Sequence, residues 1–279
     1  MSFEYPLELA DSVLAKLKLK GIEAPFPVQA ESAQLVYDGE SLKIKAPTGS
    51  GKTLSYILPI GKLLADNVKL NLLVLTSSPE LSSQIHTEFK EYYPDFSTAL
   101  IVGGTNLKRQ KDRLRTRPRV IFGTPGRLFE LFCLEKFSVT ENTIVVMDES
   151  DTLLEGHSYD KVFSLVEGSG QVITASATFN DDSERFLDEL SHDVKVIDIK
   201  KREGKVHHRY VFCSDDKKEF SLTKLLRNTT FKKVLIFVND IRHINHLFKL
   251  IQKEGLKVAK LDSKTTKNNR EKAVKDLKS

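Results

Sequence analysis

The sequence predicts an α/β fold: a parallel sheet sandwiched by helices, followed by a second, partial unit of the same kind. Three observations carry this. Short apolar runs rich in β-branched residues alternate with amphipathic stretches along the chain. The runs are continuously apolar, as suits strands buried on both faces. The alternation breaks at a polar, basic stretch, IKKREGKV (199–206), and then restarts.

Taken in order, strands are expected at 42–46, 71–77, 98–104, 119–124, 143–149, 171–178 and 194–199, most of them bounded by Gly, Pro, Ser or Asp. TLSYILPIGKLLADN (53–67) and ELSSQIHTEFKEYY (80–93) carry helical periodicity between them. Strand, helix and strand in repetition build a parallel sheet, whose sites gather beyond the carboxyl ends of the strands. After residue 206 come strand-like HRYVFCS, KVLIFVND and KVAKLDS, with helical FSLTKLLRN, IRHINHLFKLIQKEG and a last run from Thr265. Three strands are few for a doubly wound sheet, so this unit is expected to be incomplete. The division expected is 1–29, 30–199, a linker at 200–206, and 207–279.

With 40% hydrophobic and 29% charged residues, the 279-residue chain has ordinary globular composition. A net charge of +5 suits a polyanionic partner without requiring one. Cys133 and Cys213 form no CxxC pair and read as reduced thiols, which suggests an intracellular protein. The first residues carry acids and no apolar core, unlike a secretory signal, and no apolar run approaches the roughly 18 residues of a membrane span. The chain is expected to be soluble, with nucleus, nucleolus and cytoplasm left open. His243 and His246 could share a helix face, yet no acid or cysteine cluster joins them, and solvated histidines are the better reading.

The strongest chemical signal is the run Ala46, Pro47, Thr48, Gly49, Ser50, Gly51, Lys52, Thr53, which follows a strand and opens a helix. Its glycines let backbone N–H groups turn inward around phosphate oxygens, and the helix N-terminus adds partial positive charge. Lys52 suits the β- and γ-phosphates, and the Thr53 hydroxyl suits Mg²⁺. The general pattern has Gly where this chain has Ala46. Farther on, TIVVMDES ends a strand with Asp148 and Glu149. The first acid can hold the Mg²⁺ shell, and the second can orient and deprotonate a water. Together the two elements indicate hydrolysis of a nucleoside triphosphate, with Lys52, Asp148 and Glu149 as the catalytic set.

GIEAPFPVQ (21–29), with Phe3 upstream, resembles the Q motif of DEAD-box RNA helicases. The same family has a GG pair, here Gly103 and Gly104, and TPGR, here Thr124, Pro125, Gly126 and Arg127. Its DEAD motif is similar to DESD (148–151), its SAT motif to Ser176, Ala177 and Thr178, and LIFVN (235–239) resembles the first motif of its second lobe. The resemblance covers essentially the whole chain. It implies two RecA-like lobes, the first complete and the second partial, and an ATP-dependent RNA helicase acting as a monomer with ATP and Mg²⁺. In that family the glutamine reads adenine, so Gln29 implies ATP, and an amide that donates and accepts suits adenine N6 and N7. Asp151, Ser176, Ala177 and Thr178 would couple the nucleotide to the rest of the motor. GG and TPGR would grip single-stranded RNA through its backbone, without base readout. RNP components or helicase-activating proteins are further expected partners. The basic run at 108–119 reads first as a solvated helix face and second as an extension of the RNA surface.

This chain departs from the family pattern in places. Ser150 replaces an alanine, a small change. SSPELSSQ (77–84) keeps only Glu80, Leu81 and Gln84 of the PTRELAxQ motif, and Pro79 stands where an RNA-touching arginine is expected. A final HRxGRxGR motif, whose arginines meet the γ-phosphate, does not occur before Ser279. Two readings follow. The first is an enzyme coupling ATP hydrolysis to strand separation, favoured by Lys52, Asp148 and Glu149. The second is an ATP- and RNA-binding scaffold with poor turnover, favoured by the missing arginines. A truncated product reconciles them, with little RNA-stimulated turnover expected of the chain alone.

Overall fold

The computed structural model describes residues 5–155, 158–190, 193–200, 207, 209–262 and 265–278. Two compact units divide the chain, Met1–Gly204 and Lys205–Ser279.

The first unit is built on one parallel seven-stranded sheet. Its strands are β1 (Ser41–Lys45), β2 (Asn71–Thr76), β3 (Thr98–Ile101), β4 (Val120–Gly123), β5 (Thr143–Asp148), β6 (Gln171–Ser176) and β7 (Val194–Asp198). The order is β3-β4-β2-β5-β6-β1-β7, every pair parallel. Side chains alternate across the sheet, so continuous apolarity feeds two cores at once. In β5, Ile144 and Val146 enter one core while Val145 and Met147 enter the other. The first core is closed by α1 (Asp11–Leu19), α2 (Pro27–Tyr37), α3 (Lys52–Asp66) and α4 (Pro79–Tyr92), through residues such as Leu17, Val36, Ile57 and Phe89. The second is closed by α5 (Leu107–Arg115), α6 (Pro125–Cys133), α7 (Ser150–Leu153), α8 (Tyr159–Val166) and α9 (Asp181–Glu189), through Leu114, Leu128, Leu153, Val162 and Phe186. All seven strands expected from apolarity form; β5 and β6 are buried along their whole length, while the edge strand β7 leaves Val196 63% exposed.

Local chemistry sets the helix starts. Ser78 caps α4 by accepting from the Leu81 amide at 3.2 Å, with Pro79 at the first helical position, where a missing N–H costs nothing. Gln29 sits third in α2 and reaches back to accept from the Phe26 amide at 3.0 Å. Pro59 interrupts α3 and cannot donate to the Ser55 carbonyl one turn earlier. The buried Ser32 hydroxyl of α2 donates to that carbonyl instead, at 2.9 Å, so the helix continues and is tied to its neighbour.

The second unit departs from expectation. It holds α10 (Lys218–Asn228), α11 (Ile241–Lys253) and α12 (Lys267–Lys278), and no strand forms among the described residues of 209–262. The strand expectations at HRYVFCS, KVLIFVND and KVAKLDS are therefore corrected for their described residues. The α/β class rests on the first unit. A strand needs a neighbour for its backbone groups and cover for its faces. Val234 to Val238 form no ladder among the described residues, and although they line an apolar cavity with Ile244, Phe248 and Ile251 of α11, Leu235 and Phe237 stay 66% and 88% exposed. Among the described residues no helix is long and apolar enough to cross a membrane.

Candidate nucleotide and RNA site

The carboxyl ends of three adjacent strands bring together the residues expected to meet a triphosphate. β6 lies between β1 and β5, with Lys45 opposite Ser176 and Asp148 opposite Ala175. From β1 the chain turns through 46–51 into α3. Gly51 adopts φ +86°, and a Cβ there would lie 2.5 Å from Gln29 Nε2 and 2.7 Å from Phe26 Cδ2. Only glycine meets both demands. Lys52 Nζ donates to the Ala46 and Pro47 carbonyls at 2.7 and 3.1 Å, folding the lysine over its own loop. Burial lowers the Lys52 pKa, opposed by the negative charges of Asp148, Glu149 and Asp151. The Ser50 hydroxyl is buried without a partner among the described residues, while Thr48 and Gly49 lie exposed.

Asp148 ends β5 and is 4% exposed. Its Oδ2 accepts from the Tyr56 hydroxyl at 2.7 Å and its Oδ1 from the Glu149 amide at 3.0 Å. Burial pushes its carboxyl above the ordinary aspartate range, against the pull of those two bonds and of Lys52. Glu149 takes the left-handed conformation, φ 56° and ψ 49°, which turns its side chain out of the strand into solvent. There the Ser77 hydroxyl donates to its Oε2 at 2.6 Å. Asp151 accepts from the Thr178 hydroxyl, and the Ala46 amide donates to the Ser176 carbonyl at 3.0 Å. Burial raises the Asp151 pKa, but bonds from Thr178 and Ser176 outweigh it and leave the carboxyl below the ordinary range. Ala177 is exposed between them. The SAT segment thus touches both the phosphate loop and DESD.

Gln29 is 1% exposed, and its Nε2 donates to the Gly51 carbonyl at 3.2 Å. One N–H and one oxygen lone pair of its amide remain after this bond and that from Phe26. Phe3 lies outside the described residues.

The other expected set sits at the neighbouring strand ends. Gly103 and Gly104 are exposed beyond β3, and Thr124, Pro125 and Gly126 open α6 directly after β4. A Cβ on Gly123 would lie 2.2 Å from the Ile101 carbonyl, so these two strand ends approach closely. Arg127 is turned onto its own chain. Its Nη1 donates to the Thr105 carbonyl at 3.2 Å and to Gln110 Oε1 at 3.0 Å, and its Nε pairs with Glu130 at 3.0 Å. Gln110 in turn donates to the Val102 carbonyl at 2.8 Å. Lys108, Arg109, Arg113 and Arg115 of the basic run are exposed on α5. In the second unit His246 pairs with Glu219 at 2.9 Å.

Sequence reasoning missed Tyr56, Ser77 and Gln110. Tyr56 follows Thr53 by three positions, which places both on one helix face; Gln110 was hidden in a run noticed only for its charge.

Residues 26–186 match the DEAD/DEAH box helicase family, and residues 217–279 match the helicase conserved C-terminal domain. The chain belongs to the DEAD/DEAH box helicase family. Among the relatives of this DEAD-box chain, the probable ATP-dependent RNA helicase YfmL of Bacillus subtilis is 30% identical over 91% of the chain and 70% of the relative. The DEAD-box ATP-dependent RNA helicase CshC of Bacillus cereus is 28% identical over 88% of the chain and 64% of the relative. The probable ATP-dependent RNA helicase DDX59 of Mus musculus is 32% identical over 94% of the chain, which spans 44% of that protein. In fold, the DEAD-box chain is similar to a DEAD box protein of Methanococcus jannaschii, with a TM-score of 0.64 at 24% identity, covering 98% of this chain and 76% of that one.

Proposed function

We propose that the chain is an ATP-dependent RNA helicase core that binds ATP and Mg²⁺ in its first unit and couples hydrolysis to gripping and remodelling RNA. The convergence of the phosphate loop, Asp148–Glu149 and Ser176–Thr178 over three adjacent strand ends supports this most. Gln29 reads the adenine with its remaining donor and acceptor, and Lys52 meets the phosphates. Asp148 and Thr53 would hold Mg²⁺, since a carboxylate and a hydroxyl are donors of the hard oxygen type this ion takes. Bound Mg²⁺ neutralises charge on the phosphates. Glu149, exposed and steadied by Ser77, orients and deprotonates the attacking water.

RNA is met by Gly103, Gly104, the Thr124 hydroxyl and the backbone amides at the start of α6, while Arg127 holds the GG turn against that helix. The Asp151–Thr178 bond carries the nucleotide state toward the rest of the motor. In this reading 1–29 is the adenine-reading segment, 30–199 the ATP lobe, 200–206 a linker and 207–279 the second-lobe portion. The unit acts as a monomer, with RNP components or activating proteins as further partners.

Gln29→Ala should lower the preference for ATP over GTP by about tenfold, the worth of one good hydrogen-bonded pair. Competition against a fluorescent ADP analogue measures it, and an unchanged ATP/GTP ratio would remove Gln29 from the base site. RNA affinity should fall steeply with salt and ignore sequence, because the contacts are to phosphates. Single strands of unrelated sequence differing more than about tenfold in Kd would require base readout and contradict this assignment.

A further inference from the structure

We propose that Tyr56 is a positioning residue: its buried hydroxyl clamps Asp148 to the first turn of α3, so that Asp148 and Thr53 meet the metal–nucleotide as one preset pair. This rests on the reading above, in which those two residues hold Mg²⁺.

The clamp spans two elements far apart in sequence. Tyr56 is 1% exposed in α3, Asp148 is 4% exposed at the tip of β5, and their oxygens are 2.7 Å apart. On a helix, residues three apart are neighbours on one face, so the turn that presents Thr53 also presents Tyr56. A carboxylate has about four lone-pair sites on its two oxygens. Tyr56 takes one on Oδ2 and the Glu149 amide takes one on Oδ1, which fixes the plane of the group and leaves acceptor capacity on both oxygens. The rival account is that Tyr56 is only a core aromatic, since it also belongs to the buried apolar cluster that holds Ile57, Leu58 and Phe89. Phenylalanine would then serve equally well. If the hydroxyl is the working part, Tyr56→Phe keeps the packing and releases the acid, whose position then varies relative to Thr53.

The full chain is titrated with Mg²⁺ in the presence of a fluorescent, non-hydrolysable ATP analogue, as wild type and as Tyr56→Phe. The Mg²⁺ concentration giving half of the metal-dependent gain in affinity should rise about fivefold in the variant, the worth of one hydrogen bond. Affinity in EDTA should be unchanged, and the unfolding midpoint without nucleotide should stay close to that of the wild type. An unshifted Mg²⁺ midpoint overturns the proposal. So does an equal loss of affinity with and without metal, or a collapse in stability, either of which makes Tyr56 a packing residue. A wild type whose nucleotide affinity ignores Mg²⁺ overturns the underlying site reading as well, and that failure is visible before any variant is made.

Discussion

Replacing Glu149 with glutamine lowers ATP turnover by about 10²–10⁴-fold, the range a positioned general base contributes, while nucleotide binding survives. The substitution keeps the shape of the side chain, and a glutamine oxygen can still accept from the Ser77 hydroxyl that now bonds Glu149 at 2.6 Å. What disappears is the ability to take a proton from water. Binding is retained because Glu149 is exposed and makes no hydrogen bond to the proposed phosphate loop, and loss of its negative charge near Lys52 does not work against a bound polyanion. The measurement is phosphate release with saturating single-stranded RNA, beside the affinity for a fluorescent ADP analogue. A loss of turnover below about tenfold, or a parallel loss of binding, would show that Glu149 is not the base.

Lys52→Ala acts on the other half of the cycle. Nucleotide affinity should fall about 10- to 100-fold, corresponding to one charge-assisted contact of roughly 1.5–3 kcal/mol. The lysine starts folded onto the Ala46 and Pro47 carbonyls, at 2.7 and 3.1 Å, and its ammonium is easier to deprotonate than an exposed one because it is partly buried. A phosphate that draws it off those carbonyls therefore exchanges neutral acceptors for charged ones. Titration of the fluorescent ADP analogue measures this, and unchanged affinity would remove the phosphate-loop assignment. Together the two variants separate grip from chemistry, since one should lose binding and the other only turnover.

The first unit was legible because its sequence is locally unambiguous. A strand such as Ile144–Val145–Val146–Met147 is apolar to both sides, and the chain must cover both faces; that demand fixes a sandwiched parallel sheet. The phosphate loop was legible because phosphate binding constrains backbone conformation, visible as glycines at fixed places. The second unit was not legible in the same way. Leu235 and Phe237 carry strong strand character, but a strand also depends on neighbours, and propensity is silent on whether they are supplied. Arg127 shows the limit for side chains. Its position at a strand end could be read from TPGR, but the direction of its guanidinium is set by Thr105, Gln110 and Glu130, two of them outside α6. Tyr56 is illegible for a related reason: an aromatic on an apolar helix face reads as core, and only the position of Asp148 gives its hydroxyl a partner.

The serine that stands in for the missing amide at Pro59 has a mechanical consequence. Ser32 belongs to the helix that begins with the adenine-reading segment, and Ser55 belongs to the helix that begins with the phosphate loop. Their bond, with that from Gln29 to Gly51 near the mouth of the site, fastens the two helices at two separated points. Two fastenings suppress hinging that one would permit. If Gln29 seats the base and the loop at 46–53 the phosphates, as proposed above, the span between those seats would be a fixed gauge, and a nucleotide would be judged by whether its two ends reach both at once. Under that reading a shorter or longer ligand would give up one end.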